Sequence, residues 1–138
     1  MNKLFLLTIL FALVSCQSKV EKKDLVFLNG YWEIKKAQLP DGTKKDYKVN
    51  ETIDYISIKN FKGFRQKVMP QFNGKYLTNG SKEFVTLSEE SKIWYLSYTT
   101  AYGKWKEEII QLKDSTLVLK NKDNLVYTYR KYKPFTLK

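Results

Sequence analysis

The sequence predicts an all-β fold, an antiparallel up-and-down β-barrel of eight to nine strands placed after an N-terminal signal peptide. Three observations carry this. After Gly30, short runs rich in Tyr, Trp, Ile, Val, Thr and Phe are separated by Gly, Asn, Asp and Pro, a strand-and-turn signature. Most of the separating links are hairpin-sized, and no sustained helical period follows Gly30. A meander of so many strands has two vulnerable edges, which closure into a barrel removes; an open sandwich is the alternative.

The N-terminus has a different character. Lys3 supplies a positive leader and Leu4 to Val14 an apolar run, the two parts of a secretory signal. The run is too short for a spanning helix, which needs about 20 apolar residues. Leu13-Val14-Ser15-Cys16 resembles a bacterial lipobox, with a small residue before the cysteine that would accept diacylglycerol. Residues 1–15 are expected to be the signal peptide, 16–24 a lipidated tether and 25–138 the barrel domain. Cys16 is the only cysteine, so acylation would leave neither a thiol to oxidise nor a disulfide. Gln17 resembles the residue that follows the cysteine in outer-membrane lipoproteins. The expected location is therefore the bacterial outer membrane, lipid-anchored and facing the periplasm, with the cell surface as the alternative.

In order along the chain, Asp24 to Asn29 is long enough for one helical turn. Strands are expected at Tyr31–Gln38, Thr52–Ile58, Phe64–Met69, Lys75–Thr78 and Glu83–Ser88. Lys92–Thr99, Lys104–Leu112, Thr116–Lys120 and Asn124–Tyr132 complete the set. Alternation is readable in Trp32/Ile34, in Trp94/Leu96/Tyr98 and in Leu117/Leu119, each set on one face. It breaks at Glu108-Ile109-Ile110, where a bulge is expected. Asn60–Gly63, Ala101–Gly103, Lys113–Ser115 and Asn121–Asp123 supply the residues that tight hairpins demand.

Gly30-Tyr31-Trp32 stands at the start of the first strand and Arg130 in the last. In these positions the chain resembles the small lipocalin-like domains of the calycin superfamily, over Leu25 to Tyr132. The resemblance implies a barrel plug of Gly30, Trp32 and Arg130. The guanidinium would lie over the Trp32 ring and Phe27-Leu28-Asn29 would form a helical turn at the closed end. The larger relatives' disulfide, T-D-Y motif and appended helix are absent.

The composition excludes several chemistries. There is no histidine and, with Cys16 acylated, no free thiol, so Ser/His/Asp and Cys/His sites and zinc sites of the usual ligand types are ruled out. No Gly-rich phosphate loop precedes a helix. Glu107-Glu108 and Glu89-Glu90 are adjacent on strands and point to opposite faces, so they are expected to be solvated surface acids. No enzyme activity, cofactor or metal is expected. A net charge of +11 solubilises the outer face or attracts anionic envelope components. Nucleic acid is not expected as a partner of an exported protein.

Ten tyrosines, eight phenylalanines and three tryptophans fill the barrel or line a cavity. The loops Leu39–Asn50 and Met69–Gly74 are expected at one end, the mouth, and Leu39, Met69, Phe72, Trp94 and Tyr98 are the expected ligand-lining residues. The expected function is binding of a small apolar or amphiphilic envelope molecule by a membrane-anchored barrel. The alternative is an accessory or structural lipoprotein with a solid barrel that docks a larger envelope protein complex.

Overall fold

Each apolar run after Gly30 becomes a strand because alternate side chains meet the core and the solvent. The computed structural model describes residues 19–134; the expected signal peptide and Cys16 lie outside the described residues. A 3-10 helix, η1 (Lys22–Leu28), precedes β1 (Gly30–Gln38), β2 (Lys44–Asp46), β3 (Ile53–Lys59), β4 (Lys62–Pro70) and β5 (Tyr76–Leu77). Then come β6 (Glu83–Glu90), β7 (Ile93–Thr100), β8 (Gly103–Leu112), β9 (Thr116–Lys120) and β10 (Val126–Lys131). β1, β3, β4 and β6 to β10 pair antiparallel with their neighbours, and β10 pairs back onto β1. The wall is a closed eight-strand barrel. β2 and β5 are short arms off this ring, paired with β1 and β4.

The closed end gathers η1 and two tight turns, Asn60–Phe61 and Ser91–Lys92. Their φ values are 52° and 65°, then 49° and 66°, the left-handed geometry that suits two-residue hairpins in a right-twisted sheet. The expected bulge in β8 falls between Ile109 and Gln111, and β1 carries another between Ile34 and Lys36. Val20 is buried in the core and η1 begins at Lys22. The packed domain therefore includes part of segment 16–24, expected to be tether.

The lower half of the barrel is solid. Leu28, Trp32, Leu96, Leu117 and Leu119 are each at most 1% exposed. Trp32 Nε1 donates to Leu28 O at 2.9 Å, and Lys131 Nζ donates to Phe27 O at 3.2 Å and Asn29 O at 2.8 Å. These bonds satisfy carbonyls that the end of η1 would otherwise leave orphaned. The plug differs from expectation in its cation. Lys131 Nζ stands 4.3 Å from the Trp32 ring centre, whereas Arg130 points outward and donates to Glu33 at 3.5 Å. Trp32 pairs with Lys131 and Glu33 with Arg130, and neighbours on a strand take opposite faces. Gly30 is needed here, because its φ is +127° and a Cβ would sit 3.0 Å from Lys131 Nζ.

The long loops also differ from expectation. Lys44–Asp46 pairs with the upper half of β1, so residues 39–50 fold into a hairpin arm. The β4–β5 arm folds over the outer wall: Tyr76 stacks on Tyr31 at 4.2 Å and Tyr31 on Tyr55 at 4.7 Å. Phe72 there borders a small cavity with Tyr76, Tyr132 and Pro134, away from the mouth.

Candidate functional site

Alternation along β3, β4, β7, β8 and β10 turns Asp54, Arg65, Tyr98, Glu107 and Tyr129 into the barrel, above the apolar plug. All five are buried. The Arg65 guanidinium organises them. Its Nη2 donates to Asp54 Oδ2 at 3.1 Å and to Tyr129 Oη at 2.9 Å. Its Nη1 donates to Tyr98 Oη at 2.9 Å and to Glu107 Oε1 at 3.4 Å. Lys67 Nζ forms an ion pair with the other Asp54 oxygen at 2.8 Å. A buried charge persists only when it is paired and hydrogen-bonded, and here one fork of donors serves four acceptors.

The electrostatics follow from that packing. Burial acts against ionised Asp54, but Arg65 and Lys67 outweigh it and hold the carboxyl below its usual value. Burial likewise acts to neutralise Arg65, yet Tyr98, Tyr129 and Asp54 keep it firmly charged, raised well above the ordinary guanidinium value. Desolvation pushes the Tyr129 phenol up to about 12 and Tyr98 well above the usual range. Glu83, at the rim of the same layer, is raised by burial and by Asp54 and Glu107, against the pull of Arg65 and Lys67. The layer therefore presents an ionised Asp54 held by Arg65 below and, in Glu83 above, a carboxyl that takes up a proton more readily.

Two cavities open over this floor. One, of ≈ 360 Å³, is bounded by Arg65, Lys67, Ser81, Glu83 and Tyr102. The other, of ≈ 260 Å³, is bounded by Arg65, Glu83, Trp105, Glu107, Asn121 and Tyr127. They share Arg65, Lys67 and Glu83, so both meet at one patch of floor. Trp105 stacks on Tyr98 at 5.4 Å and remains 39% exposed, leaving ring surface toward the mouth. A charged floor with an aromatic wall suits a small molecule that has one polar and one apolar part.

The expected ligand-lining residues separate. Tyr98 belongs to the floor. Trp94 is buried at the closed end, where its ring stacks with Phe61 at 6.0 Å. Leu39 sits in the turn of the first arm, accepting from Gly42, and Met69 pairs with Leu77 in the second. Leu39, Met69 and Phe72 border neither mouth cavity. Glu107, expected on the surface, is buried against Arg65, while Glu108 faces outward to Lys120 at 3.2 Å. Arg65, Asp54, Glu83 and Tyr129 were not singled out from sequence. The available signal was the alternation Arg65/Lys67 against Phe64/Gln66/Val68, which puts two cations on the inward face of a strand.

No protein-family model matches the sequence, and no curated protein matches it. Among solved structures the chain is similar to a lipocalin-like protein from Bacteroides uniformis, with a TM-score of 0.50 and 18% identity. The match covers 77% of this chain and 99% of that one. It is also similar to an uncharacterized protein from Bacteroides eggerthii, with a TM-score of 0.48 and 16% identity over 76% of this chain and 99% of that one. The closed eight-strand barrel and the first of these likenesses define the fold as lipocalin-like.

Proposed function

We propose that this chain is a non-enzymatic lipoprotein, anchored through Cys16 in a bacterial outer membrane, whose lipocalin-like barrel binds a small amphiphilic envelope molecule at its mouth. The observation that carries the binding reading is the pair of cavities meeting over Arg65, Lys67 and Glu83 beside the exposed Trp105 ring. Because the lower half of the barrel is filled, the ligand is shallow: its apolar part lies on Trp105 and Tyr127, and its polar part meets the floor. A long acyl chain has no room to run down the axis. The non-enzymatic reading is supported by the engagement of Asp54 and Glu107 with one guanidinium, which leaves neither free to move a proton.

The test is native mass spectrometry of protein purified from its own membranes, with extraction of any bound molecule. A co-purifying small molecule lost in Trp105→Ala supports mouth binding. Protein that is always ligand-free, or a ligand retained by Trp105→Ala and displaced only by changes outside the mouth, overturns it. A second reading, docking of a larger envelope protein complex, is favoured by the exposed apolar groups of the outer wall. Phe84 is 62% and Leu77 52% exposed, more than scattered surface residues require. Crosslinking from Phe84 to one defined membrane protein would favour it.

A further inference from the structure

We infer that the closed end of the barrel is a membrane-seating face, taking the anionic phospholipid surface in which the chain is anchored. This rests on the lipid-anchor part of the proposal above. Lys19 lies three positions after Cys16, a contour of at most about 11 Å. Val20 is already packed in the core and borders the closed-end surface with Ile93 and Trp94. An acylated Cys16 therefore has no long leash: the end carrying η1 is held against the bilayer and the mouth is turned away.

The surface of that end fits such a partner. Val26 on the outer side of η1 is 65% exposed; Phe61, at the tip of one tight turn, and Ile93, the first strand residue after the other, are 38% and 37% exposed. A groove of ≈ 390 Å³ runs between Val26 and Phe61, bounded by Leu25, Ile58 and Leu87. Phe61 has a φ of 65°, where a bulky side chain is strained, so the turn holds an aromatic ring where glycine would be easier. Exposed Lys19, Lys22, Lys23, Lys59, Lys62 and Lys92 surround these groups. Of the acids at this end, Glu21 pairs with Lys23 at 3.4 Å and Glu90 with Lys106 at 3.0 Å, while Asp24, Glu89 and Asp114 lie among them. Apolar groups ringed by lysines are what an anionic interface binds.

The experiment places single cysteines in the acylated full-length protein, reconstituted into phosphatidylglycerol/phosphatidylcholine vesicles. One replaces Val26 and the other Tyr102, which is fully exposed at the mouth; each carries a spin label. The Val26→Cys label is expected to be accessible to oxygen in the lipid phase and shielded from an aqueous nickel complex, and the Tyr102→Cys label the reverse. Lys22→Glu and Lys62→Glu should each weaken the shielded population about fivefold in these vesicles. Equal aqueous exposure of both labels, in protein whose intact mass shows acyl chains, overturns the seating while the anchor stands. An intact mass without acyl chains overturns the anchor itself.

Discussion

The Lys131 ammonium lies over the Trp32 ring at 4.3 Å and also holds the carbonyls of Phe27 and Asn29. A single cation thus joins the last strand, the first strand and the helix that plugs the barrel. Lys131→Met removes a cation–π contact and two charge-assisted bonds, so a loss of about 1.5–3 kcal/mol is expected in urea unfolding. Arg130→Ala removes a mostly exposed 3.5 Å pair with Glu33, for which a change within about 0.5 kcal/mol is expected. The reverse order of the two variants would return the capping role to Arg130.

Gly63 pairs with Ile58 in the closed-end hairpin, and a Cβ there would stand 1.8 Å from the Ser57 carbonyl oxygen. That obstacle is backbone and cannot swing aside as a side chain would. Gly63→Ala is expected to cost about 3 kcal/mol, at the upper end of overpacking. Amide exchange should localise the damage to β3 and β4. Gly42→Ala, with open space around its Cβ position, serves as the contrast. Its penalty comes only from a φ of +88° and should be smaller, about 1 kcal/mol.

The wall of the barrel was legible because local patterns specify it. Strand residues alternate, hairpin links carry Asn, Asp or Gly, and Gly30-Tyr31-Trp32 marks where the ring begins. Register was not legible, and the plug shows the consequence: Arg130 and Lys131 are adjacent, and a slip of one residue exchanges the inner and outer faces. The polar floor was hidden for a related reason. Glu107 and Glu108 do face opposite sides, as adjacency dictates. Glu107 finds its partners on β4 and β7, forty-two and nine positions earlier in the chain. No local pattern encodes such pairing. That the two long loops fold into arms on β1 and the outer wall was not legible either, because it depends on β2 pairing and on the Tyr76–Tyr31 stack, both tertiary contacts.

Glu83 gives the floor a pH signature. Its folded carboxyl titrates above the ordinary value of 4.5, so the stability it contributes is complete below about pH 4.5 and is lost as pH rises through the folded value. Glu83→Gln stays neutral and keeps that contribution. The variant is expected to be more stable than the native chain at pH 7, by less than about 1 kcal/mol because the group is partly solvated. Near pH 4 the two should match. Asp54 has the opposite sign: its carboxyl is held below 3.8, and its stabilisation is present above that value and lost as pH falls through the folded one. Urea midpoints measured across pH 3 to 8 separate the two slopes, and a Glu83→Gln chain less stable than native at pH 7 would contradict the assignment.

The Arg65 network also allows structure to be separated from purpose. Arg65→Met strands Asp54 with Lys67 alone and leaves Glu107 buried without its cation, for which a loss of about 3–5 kcal/mol is expected. Replacing all three charges with apolar residues of similar size removes the unpaired charges as well as the pairs, and leaves only the Tyr98 and Tyr129 hydroxyls without their Arg65 donor. Such exchanges are often neutral or stabilising by about 1–4 kcal/mol, so the triple variant Arg65→Met, Asp54→Leu, Glu107→Leu should recover most of the loss. The recovery is the coupling energy of residues in direct contact and cannot be summed from single changes. If the floor serves only the fold, the triple variant behaves as the native protein in every other respect. If it receives the polar part of a ligand, the triple variant folds yet arrives from the membrane empty. Urea unfolding and native mass spectrometry on the same preparations distinguish these outcomes, and a folded triple variant that still carries the native ligand would remove Arg65 from the binding site.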